Sequence, residues 1–347
     1  MLILIDTSAL HSDPTLNRPY GRLLLAATRS DEVDLVLPEI VVLEAVNMFR
    51  ERLEQASRSI RKAQRELQSL GVGFAPELPD DASVGAYEQT LRGRLADAGA
   101  RIPQPPNVAH LDLAVRAVAK RKPFDGKGRG YRDTLIWLHA LEEARADDVV
   151  LVTANVNNFA GDDRVSLAPE LAGDLEAAGL PRNRVRLADG LRAVVHEHVE
   201  PSVQALTRLT ALLDEPAFKD QMLNAVTESL LYKEVEAPDD PDLRMLDVRD
   251  VQIDAVEEVR DIEIDEAYED GDLLAFNVGG TLVAEADFYP FKYEIAGADV
   301  PEVTVHDWDW NESVVHASKT LEFGFEGFGA YDPAAGEVTS VDVWLAY

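Results

Sequence analysis

A chain of 347 residues, 46% of them apolar, is long enough for a well-buried core and for two domains rather than one. It has no cysteine, which excludes a disulfide framework and thiolate metal sites, and no apolar run long enough to span a membrane. The net charge of −31 is unevenly spread: residues 1–200 hold 25 Lys/Arg against 30 Asp/Glu, residues 201–347 hold 8 against 34, so any nucleic acid is expected on the first part.

The N-terminus lacks the basic region and cleavage site of a secretory signal, and Asp6 interrupts the first apolar run, so a cytoplasmic location is expected. Residues 1–200 alternate between strands and helices. Buried strands are predicted at Leu2–Ile5, Val33–Leu37, Val149–Thr153 and Arg184–Leu187, each short, rich in branched residues and bounded by polar ones. Helices are predicted near 17–29, 39–70, 84–98, 108–121, 132–145 and 167–178, with Pro38 at a helix start where its missing N–H costs nothing. Gly71–Asp81 and Pro103–Asn107 read as loops. This alternation implies a three-layer α/β/α domain over 1–200 with a central parallel sheet. Residues 201–241 read as a helical connector broken at Pro216. Residues 242–347 read as an acidic antiparallel β domain, with strands at Thr281–Phe288, Glu302–Trp310, Thr320–Phe328 and Glu337–Leu345. Gly279-Gly280 is read as a hairpin turn, and Trp308, Trp310, Phe323, Phe325 and Phe328 as core.

Single acids stand at the edges of apolar segments in the first part. Asp6 follows the first strand directly, where open α/β sheets place their ligands, and the hydroxyls of Thr7 and Ser8 are placed to hold it. A helix-capping role for Asp6 is the competing reading. Glu44 lies on a helix face shared with Val41, Ala45 and Met48, where a carboxylate is costly unless paired or metal-bound. Its alternative is an ion pair with Arg50, Arg52 or another arginine. Asp133 opens a helix whose dipole favours a carboxylate at that end. Upstream of it lie Arg116, Lys120, Arg121, Lys122, Lys127, Arg129 and Arg132, with a flexible loop expected at Gly126–Gly130. After Thr153 come Asn155, Asn157, Asn158, Asp162 and Asp163, side-chain oxygens that would complete a pocket. Carboxylates from distant segments that converge beside cations suit metal-assisted phosphoester chemistry.

Asp6-Thr-Ser after a strand, Pro38-x-x-Val-x-x-Glu44 leading a helix, Gly130-Tyr-Arg-Asp133-Thr-Leu-Ile-Trp, and Val150-Leu-Val-Thr-x-Asn155 before Phe159 together resemble the PIN-domain nucleases over about residues 1–190, in particular a large bacterial PIN-like subgroup. The resemblance implies a divalent-metal-dependent endoribonuclease that cleaves single-stranded RNA with Mg²⁺ or Mn²⁺, held by Asp6, Glu44 and Asp133. The family has acids where this chain has Asn155 and Asn158, with Asp162 as a substitute ligand. Thr153 and Asn158 would support the site, and Lys122, Lys127, Arg129 and Arg132 would contact RNA. The setting would be RNA turnover, a toxin system or defence. The second functional class is a PIN-like binding or regulatory protein with a degenerate metal site, and a small-molecule phosphatase is the third. Partners expected are RNA, a homo-oligomer, and a protein docked on the acidic β domain; no membrane partner is expected.

Overall fold

The computed structural model describes residues 1–75, 78, 81–300 and 302–346. It divides into two units, Met1–Val199 and Glu200–Tyr347. Among the described residues no helix is long and apolar enough to cross a membrane.

The first unit runs β1 (Leu2–Ile5), a 3-10 turn (Thr7–Leu10), α1 (Pro19–Arg29), β2 (Asp34–Val36), α2 (Glu39–Ser69), α3 (Asp81–Ala98), α4 (His110–Val118), α5 (Tyr131–Glu143), β3 (Val149–Val152), α6 (Val156–Phe159), α7 (Pro169–Ala177), β4 (Val185–Ala188) and α8 (Gly190–His198). The four strands form one parallel sheet in the order β2-β1-β3-β4. β1 and β3 are buried at every residue, the pattern of parallel strands covered on both faces by helices. All four predicted strands and six predicted helices form, with ends shifted by a few residues. The loop expected at Gly71–Asp81 lies partly outside the described residues; the one-turn α6 was not predicted, and neither was α8. Its Leu191, Val194 and Val195 are buried at helical spacing.

β1 leads through α1 to β2 on one side of it, while β3 pairs on its other side. The chain therefore reverses its winding between β1 and β3, and the carboxyl ends of those two strands flank a crevice where such sheets bind ligands. Asp6 and Thr153 are the residues that follow those ends.

The second unit begins with α9 (Val203–Leu212) and α10 (Pro216–Leu230), then β5 (Glu234–Glu236), α11 (Pro241–Met245), β6 (Asp250–Asp270), β7 (Leu273–Phe288), α12 (Lys292–Ile295), β8 (Thr304–Asp307), β9 (His316–Asp332) and β10 (Glu337–Ala346). Its antiparallel sheet has the order β10-β9-β7-β6-β5, with β8 also paired to β9. The helices at 203–230, expected as a connector, bury Leu209, Phe218, Met222, Val226 and Leu230 in the same core as Phe276 and Phe323 of the sheet. Their apolar faces are covered by that sheet.

Three expectations for this region are corrected. Gly279-Gly280 is not a turn but the middle of β7, paired with Glu326 and Phe325 of β9. A Cβ on Gly280 would come within 2.9 Å of both the Arg260 carbonyl oxygen and the Phe325 ring, so glycine serves close approach there. The turn is instead at Gly271-Asp272, between the paired Asp270 and Leu273. The strand expected at Glu302–Trp310 ends at Asp307. Beyond it Trp308 and Trp310 are exposed rather than core, while Phe323, Phe325 and Phe328 are buried.

Candidate active site

Asp6 is buried at the carboxyl end of β1, and its backbone N–H donates to the Val152 carbonyl of β3 at 2.9 Å. Its Oδ2 accepts from the Ser8 hydroxyl at 2.6 Å and from the Thr153 hydroxyl at 2.7 Å. Ser8 Oγ also accepts the Ala154 N–H at 2.9 Å, so the two strand ends are tied through these side chains. Asp6 precedes the 3-10 turn but makes no side-chain cap to it, which removes the capping reading.

Glu44, one turn into α2, is mostly buried. The Thr7 hydroxyl donates to its Oε2 at 2.8 Å, and Arg132 forms an ion pair with its Oε1. The arginine partner anticipated for Glu44 therefore exists, but it comes from α5 and not from α2. Asp133 sits in the first turn of α5, where the Asn158 amide donates to its Oδ2 at 3.0 Å. Gly130 precedes that helix with φ 129°, and a Cβ there would lie 2.5 Å from the Pro123 carbonyl oxygen. A side chain at this position would displace the start of α5 and Asp133 with it.

Asp6, Thr7, Ser8, Glu44, Arg129, Arg132, Asp133, Asn155 and Asn158 line one cleft of about 1060 Å³. Its electrostatics are those of crowded acids. Burial raises the Asp133 carboxyl to about 6, and the charges of Asp6 and Glu44 push in the same direction against Arg132 and Asn158. Burial likewise raises Glu44, with Asp6 adding to it and Thr7 and Arg132 opposing.

The basic residues divide into two groups. Lys122 Nζ donates to the Asn157 carbonyl at 3.0 Å and also to that of Ala160. Arg116 bonds the Lys122 carbonyl at 2.9 Å and Asp174 at 2.7 Å, and Arg121 also pairs with Asp174. These cations hold the chain together. Arg129 and Arg132 face the cleft, while Lys127 and Lys122 do not line it. The glycine-rich loop is pinned, because Asp125 Oδ1 accepts the N–H groups of Lys127 at 2.8 Å and Arg129 at 2.9 Å. Asp162 is exposed and does not line the cleft. Sequence reasoning missed His11, Asn47 and the half-exposed Tyr131 on the cleft wall, and named Arg52 only as an alternative partner for Glu44. Asn47 and Arg52 follow Glu44 at near-helical spacing, a signal that would have placed both there.

Among the described residues no three His, Asp or Glu side chains stand in a metal-ligating arrangement. The donor set still suits a hard divalent cation: it offers carboxylate and amide oxygens, and a cation would relieve the repulsion that raises Glu44 and Asp133.

No curated protein and no solved structure matches the chain. A family model described as a PIN domain matches residues 3–159, a span that holds three of the four parallel strands and Asp6, Glu44 and Asp133. With its parallel sheet and the acids gathered at the β1/β3 crevice, the first unit of this chain belongs to the PIN-domain family, a nuclease-type family.

Proposed function

We propose that the first unit is a divalent-cation-dependent endoribonuclease that hydrolyses phosphodiester bonds of single-stranded RNA. The observation that carries this reading is the gathering of Asp6, Glu44 and Asp133, from three separate elements, in one cleft with Arg129 and Arg132. Asp6 and Asp133 would hold the cation, and Glu44 would orient the attacking water or hold a second ion. When bound, Mg²⁺ or Mn²⁺ polarises the phosphoryl oxygen and lowers the pKa of water. The hydroxyls of Ser8 and Thr153 fix the Asp6 carboxylate in one orientation. Arg132 exchanges Glu44 for a phosphate of the incoming strand, beside Arg129. Tyr131 offers a ring on which a base can stack. A volume of about 1060 Å³ is at the upper end for small-molecule pockets and suits a strand better than a small phosphate ester.

Cleavage assays on single-stranded RNA, single-stranded DNA and duplex RNA, with Mn²⁺, Mg²⁺ or chelator, test this reading. RNA cut in Mn²⁺ and intact in chelator is the expected result; uncut RNA in both metals overturns it. One observation favours a second reading, a binding protein with a degenerate metal site: the Asn158 amide donates to Asp133 where an acid would ligate. Calorimetric titration with Mn²⁺ separates the two, since a degenerate pocket gives no binding heat.

A further inference from the structure

In the second unit the segment after β7 and the segment before β9 run side by side. The Val315 N–H donates to the Pro290 carbonyl at 3.1 Å, and the Lys292 N–H to the Ser313 carbonyl at 3.0 Å. This pairing gathers aromatic rings that the core does not take. Tyr289 and Trp310 lie 5.4 Å apart, and both lie against His316, at 5.4 and 5.3 Å. Phe291 stacks on Tyr293 at 5.4 Å in the first segment. Tyr289 is 42% exposed, Phe291 46%, Trp310 51% and Tyr293 72%. Scattered exposed rings are ordinary on a protein surface; rings in mutual contact on two paired segments form a patch.

Carboxylates lie around this patch. Asp287 bonds His316 at 2.8 Å, and with Asp254 it lies close enough to Tyr289 for burial and these two charges to raise the phenol above its usual range. Asp307 is the β8 partner of His316, and Asp309 is almost fully exposed beside Lys292. The chain beyond residue 200 carries 34 acidic against 8 basic residues, so the field over the patch is negative. Electron-rich ring faces and carboxylates both attract cations, whereas nucleic acid, which the rings alone would suit, is repelled.

We propose that the Tyr289–Trp310 patch is a docking site for a protein segment bearing arginine or lysine side chains, whose cationic heads lie over the Trp310 and Tyr289 rings while the surrounding aspartates neutralise them. This site lies wholly within the second unit.

The test uses the full-length protein and a fluorescein-labelled nine-residue peptide of alternating glycine and arginine, followed by anisotropy. A counterpart with citrulline in place of arginine keeps the planar shape and part of the donor set without the charge. Trp310→Ala and Tyr289→Ala should each weaken binding of the arginine peptide about 3- to 30-fold, the range of one cation–ring contact. Trp310→Phe should retain most of it, and the citrulline peptide should bind no better than background. Equal affinity of wild type and Trp310→Ala for the arginine peptide would overturn the proposal, as it would leave only general attraction to the negative surface. So would citrulline binding as strong as arginine. A dimer seen by sedimentation in the wild type and lost in Trp310→Ala would assign the patch to a second copy of the chain and also overturn it. Weakened RNA binding in Trp310→Ala with unchanged peptide binding would do the same in favour of nucleic acid.

Discussion

Each unit of this molecule gathers three carboxylates, and the two gatherings differ in what lies among them. In the second unit Asp240, Asp242 and Glu302 surround the Lys319 ammonium, with Nζ 2.9 Å from Asp240, 2.8 Å from Asp242 and 3.2 Å from Glu302. Burial works against that charge, but the three acids outweigh it and hold Lys319 protonated above the ordinary lysine range. Asp240 also caps α11 through the N–H groups of Asp242 and Leu243. In the first unit Asp6, Glu44 and Asp133 meet hydroxyls, an amide and one arginine that is itself 65% exposed. Burial and their mutual repulsion raise two of them. A cluster with its own buried cation has its charges matched, and removing that cation would leave the acids unpaired. A cluster without one costs stability, and on the function proposed above a bound cation would relieve that cost.

Substitutions at the two clusters should therefore act in opposite ways. The largest effect is expected in the cleft: Asp6→Asn or Asp133→Asn should lower RNA cleavage by about two to three orders of magnitude, as loss of several kcal/mol of charge stabilisation implies. The metal-free thermal midpoint should stay equal or rise. A sharp fall in that midpoint would make these acids structural, like those around Lys319.

Lys319→Met should lower unfolding stability by about 2–3 kcal/mol and leave cleavage unchanged. The figure lies below that for breaking a fully enclosed pair because Glu302 is largely solvated. Denaturant unfolding measures it, and an unchanged midpoint would mean the acids are screened by water without the lysine.

A pH effect of similar or smaller size follows from Asp133. Its folded carboxyl titrates at about 6, above the unfolded value near 3.9. The folded state thus binds the proton more tightly; the contribution is fully present below about pH 4 and is lost as pH rises through about 6. The amount is on the order of 2–3 kcal/mol. Thermal midpoints of wild type and Asp133→Asn at pH 4 and pH 7 should converge at the lower pH and separate at the higher, with the variant more stable. Parallel curves would show that the carboxylate is as well solvated folded as unfolded.

The smallest effect separates the cations of the first unit. Arg129→Ala should flatten the dependence of log RNA affinity on log salt by about 0.7–1. Lys122→Ala should leave that slope alone, because its ammonium is held by the Asn157 and Ala160 carbonyls and does not line the cleft, whereas Arg129, though paired with Asp125 at 2.9 Å, is exposed on the cleft wall. Equal flattening in both variants would put Lys122 on the RNA path.

The sequence by itself determined the parallel sheet and the place of Asp6. Leu2–Ile5 and Val149–Val152 are unbroken apolar runs, and such runs are buried whatever packs on them, so the residues that follow them reach the carboxyl edge of the sheet. Glu44 was legible for a related reason, a carboxylate on an apolar helix face. Tertiary structure decided the partners. Arg132 pairs with Glu44 because α5 starts beside α2, and Lys122 turns to two carbonyls because the 156–160 turn lies against it; no spacing rule connects such distant positions. In the second unit β6 went unread because β5 pairs only with Asp250–Gln252 of it. Much of β6 is therefore a sheet edge, and an edge dense in aspartate and glutamate, bulged at several positions, resists further pairing but hides the alternation that marks a strand. Trp308 and Trp310 were read as core for want of the same information. Aromatic residues signal burial on average, and only the end of β8 at Asp307 placed these two in a surface turn.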